Sequence, residues 1–212
     1  MPTRPNPTIV LHFTHIEHLE TVINNGLLCD TDAQSTGVLT REAGNVGIKA
    51  ARRKRPVPIE PYGRVADYVP FYFAARSPMM SAISNGKVPE FGTDSTSLMY
   101  LATTTQILVE GGLKLLFTDR NARLDYAKFK PEADGDDLVD WNLMKQRYWA
   151  NTDQDPERKE RRMAECLVHQ RVPFDRFGAI MVHREEQAEA VRSTLAANGQ
   201  STEVYVRPDW YI

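Results

Sequence analysis

Apolar residues in this chain of 212 come in short blocks, and that limits the folds open to it. Residues 9–14 (IVLHFT), 68–75 (YVPFYFAA), 98–102, 113–117, 165–169 (ECLVH), 179–183 (AIMVH) and 203–207 have strand length and are rich in β-branched or aromatic side chains. Helical spacing appears between them. Ile16, Leu19, Val22 and Ile23 recur at helical intervals before Gly26, and residues 46–55 end at Pro56 and Pro58. Ser77 and Pro78 have the chemistry of an N-cap and first helical position, for a helix that should end near Gly86. Further helices are predicted at 104–110, 138–149, from Asp155-Pro156, and at 185–198, where Ala188, Val191 and Leu195 share a face. Residues 30–44 and 118–140 read as irregular. A long irregular stretch in a compact chain is often functional. Strands and helices mix without steady β-α-β alternation, so we expect an α+β fold rather than a doubly wound sheet.

Several function classes are disfavoured at this level. The net charge of −2 is not that of a protein that coats duplex DNA, so any nucleic-acid contact must be local. The two cysteines, Cys29 and Cys166, form no CxxC pair, so no zinc site or disulfide framework is legible and no metal is expected. No apolar run approaches the ~20 residues of a membrane span, and residues 1–8 are polar and proline-rich, unlike a signal peptide. A cytoplasmic protein without a membrane partner is the expectation. Neither GxGxxG nor GxxxxGK[ST] occurs.

Four groups of residues could carry chemistry. His12, Phe13 and Thr14 end the first strand, with His12 and Thr14 on one face, where an imidazole and a hydroxyl could hold a polar ligand. His12, His15 and His18 do not converge as metal ligands across a strand–helix junction. Arg52, Arg53, Lys54 and Arg55 are four adjacent cations that could neutralise phosphates or simply form a solvated face. In 68–80 (YVPFYFAARSPMM) most residues suit a buried strand and helix, while Tyr72 could stack on a flat ring. Glu165 sits in an apolar strand, which is costly unless the carboxylate is paired with an arginine or functional.

Together and in this order the pieces resemble the DarT family of DNA ADP-ribosyltransferase toxins. The likeness runs through LHFTH, the arginine run, DYVPFYFAARSPM at 67–79, LLFTDRNA at 115–122, Tyr148-Trp149, AECLV at 164–168 and the terminal DWY. It is closer to the thymine-modifying branch than to the guanine-modifying one. The resemblance implies one ADP-ribosyltransferase domain over 1–212, with a split mixed β-sheet flanked by helices. NAD would be the co-substrate and single-stranded DNA the acceptor. By the same likeness, Arg52 and Glu165 are catalytic, and His12, Phe13, Thr14, Thr21, Cys29, Arg52, Tyr72 and Met79 contact NAD. Residues 32–54 or so cover the dinucleotide and about 120–164 read DNA. In the family a macrodomain antitoxin removes the modification.

Nucleic-acid contacts are expected from Arg53, Lys54, Arg55, Arg76, Tyr148 and Trp149. Aromatics interleaved with cations have the composition of a stacking groove, though core packing explains Trp149 equally well. Two alternatives stay open. One is an inactive nucleic-acid-binding module of the same fold. The other is a phosphoesterase using His12 and His15, for which no second H-x-[ST] motif exists.

Overall fold

The computed structural model describes residues 3–38, 46–88 and 94–212. An eight-stranded sheet runs through it. Its order from one edge is β10 (Glu203–Val206), β9 (Ala179–Val182), β4 (Leu98–Thr104), β1 (Ile9–His15), β3 (Tyr68–Tyr72), β7 (Glu165–His169), β5 (Leu115–Thr118) and β6 (Phe129–Pro131). Neighbours are antiparallel except β9 and β10, which run parallel, so the sheet is mixed. A separate two-stranded ladder joins β2 (Leu27–Leu28) to β8 (Arg171–Val172).

Both faces of the sheet are buried, and the strand period of two sorts the side chains between them. Val10, Met99, Leu101, Cys166 and Val168 enter one core cluster. Leu11, Phe13, Leu98 and Tyr100 enter another with Met80 and Ile83 of α4 (Pro78–Ser84). Helix α8 (Glu185–Ala197) turns Ala188, Val191 and Leu195 into the first cluster, the stripe its sequence predicts. Helix α1 (Leu19–Asn25) stops at Gly26, with φ of 76°. A Cβ there would come within 2.8 Å of the Val172 carbonyl oxygen, so both the turn and the β2–β8 contact require glycine.

The sheet opens between β1 and β3. β1 pairs with β4 along its whole length and β3 pairs with β7 along its whole length, but β1 and β3 share the single register pair Leu11↔Tyr72. The sequence suggests Pro70 as a strand-edge or bulge residue, and the split accounts for its place inside an eight-stranded sheet. A residue's N–H and C=O point to the same edge of a strand, and Pro70 turns its carbonyl toward β1, where His12 Nδ1 lies at 2.8 Å. Its missing N–H therefore falls on the open side and costs no ladder bond.

Three expectations need correction. Residues 138–149 are not one helix: only α6 (Trp141–Met144) forms. Arg162 is the physical reason, because its Nη1 donates to the carbonyls of Leu143, Met144 and Gln146, groups that a longer helix would bond internally. The helix expected from Asp155 shrinks to α7 (Arg158–Arg161), four residues without an apolar stripe. Residues 30–44 are not wholly irregular. α2 (Asp30–Ser35) starts there, with Cys29 Sγ accepting from the Asp32 amide at 3.5 Å; residues 39–45 lie outside the described part. The predicted helices at 46–55 and 104–110 are α3 (Val46–Lys54) and α5 (Thr105–Glu110).

Candidate active site

The four consecutive cations of α3 do not act as one patch. Successive helical residues point about 100° apart, so each finds a different neighbour. Arg53 Nε pairs with Asp30 at 2.7 Å, and Lys49, one turn earlier, reaches the other oxygen of Asp30 at 2.9 Å. Arg64 Nη1 donates to the Lys54 carbonyl. Arg55 Nη2 donates to the Asp125 carbonyl at 2.8 Å, and its guanidinium lies over the Phe129 ring. Arg52 turns inward and is 8% exposed. Its Nη1 bridges both oxygens of Glu165, at 2.8 and 3.0 Å.

Glu165 opens β7 opposite Tyr72 of β3 and is 2% exposed. Three further bonds hold it. The Ala122 amide donates to Oε2 at 2.8 Å. The Glu165 amide donates to Thr118 Oγ1 at 3.1 Å, and Thr118 in turn donates to the Arg120 carbonyl at 2.7 Å. The Thr118 hydroxyl thus fixes the backbone of Glu165 and also the turn that brings Ala122 to its carboxylate. Thr118→Val is therefore expected to cut turnover about ten-fold by misaiming the carboxylate, while Thr118→Ser keeps most of it. Steady-state kinetics on the two variants check this; equal rates would mean that the hydroxyl has no positioning role.

A cavity of about 210 Å³ opens beside this pair, at the split of the sheet. His12, Phe13, Thr14, Thr21, Arg52, Tyr72, Met79 and Glu165, eight of the residues singled out from the sequence, line it together. Because the opening lies at the edge of β1, residues from both faces of that strand reach it. Phe13 and Tyr72 stack with ring centroids 5.7 Å apart and planes 8° from parallel. Burial pushes the Tyr72 hydroxyl well above its ordinary pKa, and the charge of Glu165 adds to this, so the group stays protonated. Arg52 Nη2 is buried without a hydrogen-bond partner among the described residues, a donor left over for a ligand.

His12 is tuned by the same geometry. Burial lowers its pKa to about 4, against the opposing effect of its bond to Pro70, with the Lys49, His18 and Arg52 charges contributing in the same direction as burial. The neutral ring must donate from Nδ1 to the Pro70 carbonyl, which leaves Nε2 as an acceptor. The folded pKa lies below the unfolded value of 6.5, so the unfolded chain binds the extra proton first. Stability from this residue is complete above pH 6.5 and is lost as pH falls toward 4, by up to about 3 kcal/mol. Urea denaturation of the protein and of His12→Phe across pH 4–8 checks this; the variant should show a shallower acid loss.

Other expected contacts lie elsewhere. Cys29 is 1% exposed, caps α2 and does not line the cavity; burial pushes its thiol up to about 11. Arg76 donates to the carbonyls of Asp209 and Tyr211 at the chain's end. Trp149 Nε1 donates to the Arg76 carbonyl at 2.7 Å, and Tyr148 stands 75% exposed. His15 is buried, on the opposite face of β1 from His12, and does not line the cavity, which removes the two-histidine phosphoesterase arrangement. Sequence reasoning missed Thr118, Ala122, Asn121, Asp30 and Lys49. Ala122 acts through its backbone, so no residue-type signal could have found it. Thr118 and Asn121 stand inside LLFTDRNA, which did mark the segment.

Comparison with known proteins agrees with this geometry. A family model described as "ssDNA thymidine ADP-ribosyltransferase, DarT" matches residues 11–212. The DNA ADP-ribosyl transferase of Mycobacterium tuberculosis (strain ATCC 25618 / H37Rv) is 34% identical over 212 residues, covering 98% of this chain and 90% of that protein. Thermus sp. 2.9 DarT in complex with ADP-ribosylated ssDNA superposes with a TM-score of 0.91 at 31% identity, covering 100% of this chain and 99% of the other. The same protein in complex with NAD+ gives 0.86 at 31% identity, covering 99% and 100%. With its arginine–glutamate pair set at the split of a mixed sheet and a family match over residues 11–212, the chain belongs to the DarT family of ssDNA thymidine ADP-ribosyltransferases.

Proposed function

We propose that the chain moves ADP-ribose from NAD to N3 of a thymine in single-stranded DNA, with Glu165 and Arg52 as the catalytic pair, and that it acts as the toxin of a toxin–antitoxin pair. The observation that carries this reading is the buried contact of Arg52 Nη1 with both Glu165 oxygens on the wall of the cavity. His12, Phe13, Thr14, Thr21, Tyr72 and Met79 hold NAD in that cavity, and the Nε2 of neutral His12 accepts from its polar groups. Residues 32–54 cover the dinucleotide, and the segment from about 120 to 164 presents the acceptor.

The reaction balances as follows. The bond between the ribose C1′ and the nicotinamide nitrogen breaks, and nicotinamide leaves with the electron pair as a neutral molecule. Positive charge develops on the ribose, and the Glu165 carboxylate stabilises it most in the transition state. Thymine N3 forms the new bond to C1′ and loses its proton to the carboxylate, which passes it to water. A protonated imide is a weak nucleophile, and a guanidinium beside the base favours its anion, which is the role of Arg52. N3 lies on the Watson–Crick edge, hidden in a duplex and open in a single strand. A blocked edge would stop replication, so a partner that removes the modification is expected, and a macrodomain antitoxin fills that place.

The test is direct. With NAD and a short single-stranded oligonucleotide, the protein should add the mass of one ADP-ribose to thymine-containing DNA. It should leave a duplex, RNA and thymine-free DNA unchanged. Modification of a guanine-containing, thymine-free strand would instead identify the guanine-modifying activity. Binding of DNA without nicotinamide release would identify an inactive binding module.

A further inference from the structure

The cations first expected to meet DNA are largely engaged within the protein. Arg53 is paired with Asp30, Arg55 is bonded to residue 125, and Arg76 to the chain's end. In a chain of net charge −2, the phosphates of a strand need cations that are free to receive them.

Such cations line a second groove of about 370 Å³ that shares Ile48, Met79 and Asn121 with the first cavity and so continues it. Lys87, from the turn after α4, and Arg123 and Lys159, from the 120–164 segment, stand on its sides. All three are exposed, and none of their side-chain charges forms an ion pair among the described residues. The one carboxylate in the lining, Glu160, is already met by Arg120 Nη1 at 3.2 Å and by the Tyr126 hydroxyl at 3.0 Å. Between the cations the lining is apolar: Ala82, Leu124 and Met163. An apolar floor with an unneutralised cationic rim fits a nucleotide, base inward and phosphate outward.

We propose that this groove seats the nucleotide next to the target thymidine, with Lys87, Arg123 and Lys159 taking the flanking phosphates. The assignment rests on single-stranded DNA being the acceptor. It makes the groove the continuation of the reaction cavity, and it moves the phosphate track from the α3 arginines to the facing walls of α4 and the 120–164 segment.

The experiment uses the full chain with Lys87→Gln, Arg123→Gln, Lys159→Gln, the triple variant, and Lys114→Gln as an exposed control that lines neither cavity. Oligonucleotides carry either normal linkages or one neutral methylphosphonate beside the target thymidine. Each substitution should lower kcat/KM for the oligonucleotide by about three- to ten-fold, and the slope of its logarithm against the logarithm of salt concentration should become shallower by about 0.7 per cation removed. Lys114→Gln should match the unmodified protein. The neutral linkage should penalise the unmodified protein but add little in the triple variant, because the partner charges are already gone. A triple variant within two-fold of the unmodified protein, or an equal methylphosphonate penalty in both, overturns the groove while leaving the acceptor assignment intact. Failure of the unmodified protein to modify any single strand overturns both.

Discussion

Glu165→Gln is expected to lower the rate of ADP-ribose transfer by about three orders of magnitude, while NAD affinity stays within a few-fold. The carboxylate accepts from Arg52 at both oxygens and from the Ala122 amide, and it is 2% exposed. An amide has the same shape but one acceptor oxygen, so an NH2 group must face either the guanidinium or the Ala122 amide. The negative charge that would stabilise the developing ribose cation is gone. Stability should fall only modestly. Glu165→Ala adds a structural cost, because it leaves the Arg52 guanidinium buried without a counter-charge, an omission worth about 3–5 kcal/mol in comparable buried pairs. Nicotinamide release, oligonucleotide mass and urea midpoints on the two variants separate chemistry from folding. A Gln variant that retains a tenth or more of the rate would remove Glu165 from the reaction.

Arg52→Lys is expected to separate the two halves of the reaction. Lysine keeps the charge but loses the planar fork, so one ammonium cannot both bridge Glu165 and offer the second, unpaired donor that Arg52 holds at Nη2. Transfer to DNA should drop by about 10²- to 10³-fold, while slow release of nicotinamide to water persists, because the carboxylate remains. Paired assays of nicotinamide release and DNA modification, with and without oligonucleotide, decide the matter. A parallel fall in both would place Arg52 on the NAD side alone.

Much of the framework could be read before the fold was seen. Strand-length apolar blocks with β-branched and aromatic residues became β1, β3, β4, β5, β7, β9 and β10. Ser77-Pro78 opened α4, with the Ser77 hydroxyl accepting from the Met80 amide at 3.2 Å. These signals are local. An N-cap bond or a two-residue alternation is satisfied within one turn or between adjacent strands, so residue type and spacing are sufficient. Glu165 also declared itself, since a carboxylate in an apolar strand requires a partner, and resemblance named that partner as Arg52.

Other features belonged to the tertiary structure. Nothing in the run from Arg52 to Arg55 says which guanidinium turns inward, because that depends on where α3 packs against β3 and β7. Burial of Cys29 as a cap, the shortening of the 138–149 helix by Arg162, and the free cations at Lys87, Arg123 and Lys159 depend likewise on segments far apart in the chain. The split between β1 and β3 is the clearest case. Pro70 hinted at it, but only the single Leu11↔Tyr72 pairing and the His12–Pro70 bond place the opening where eight chosen residues converge. Composition and spacing thus determined which groups had to be paired, buried or capped. Long-range packing decided who paired with whom, because a hydrogen bond or ion pair is directional and fails once its partner is displaced by an ångström or two.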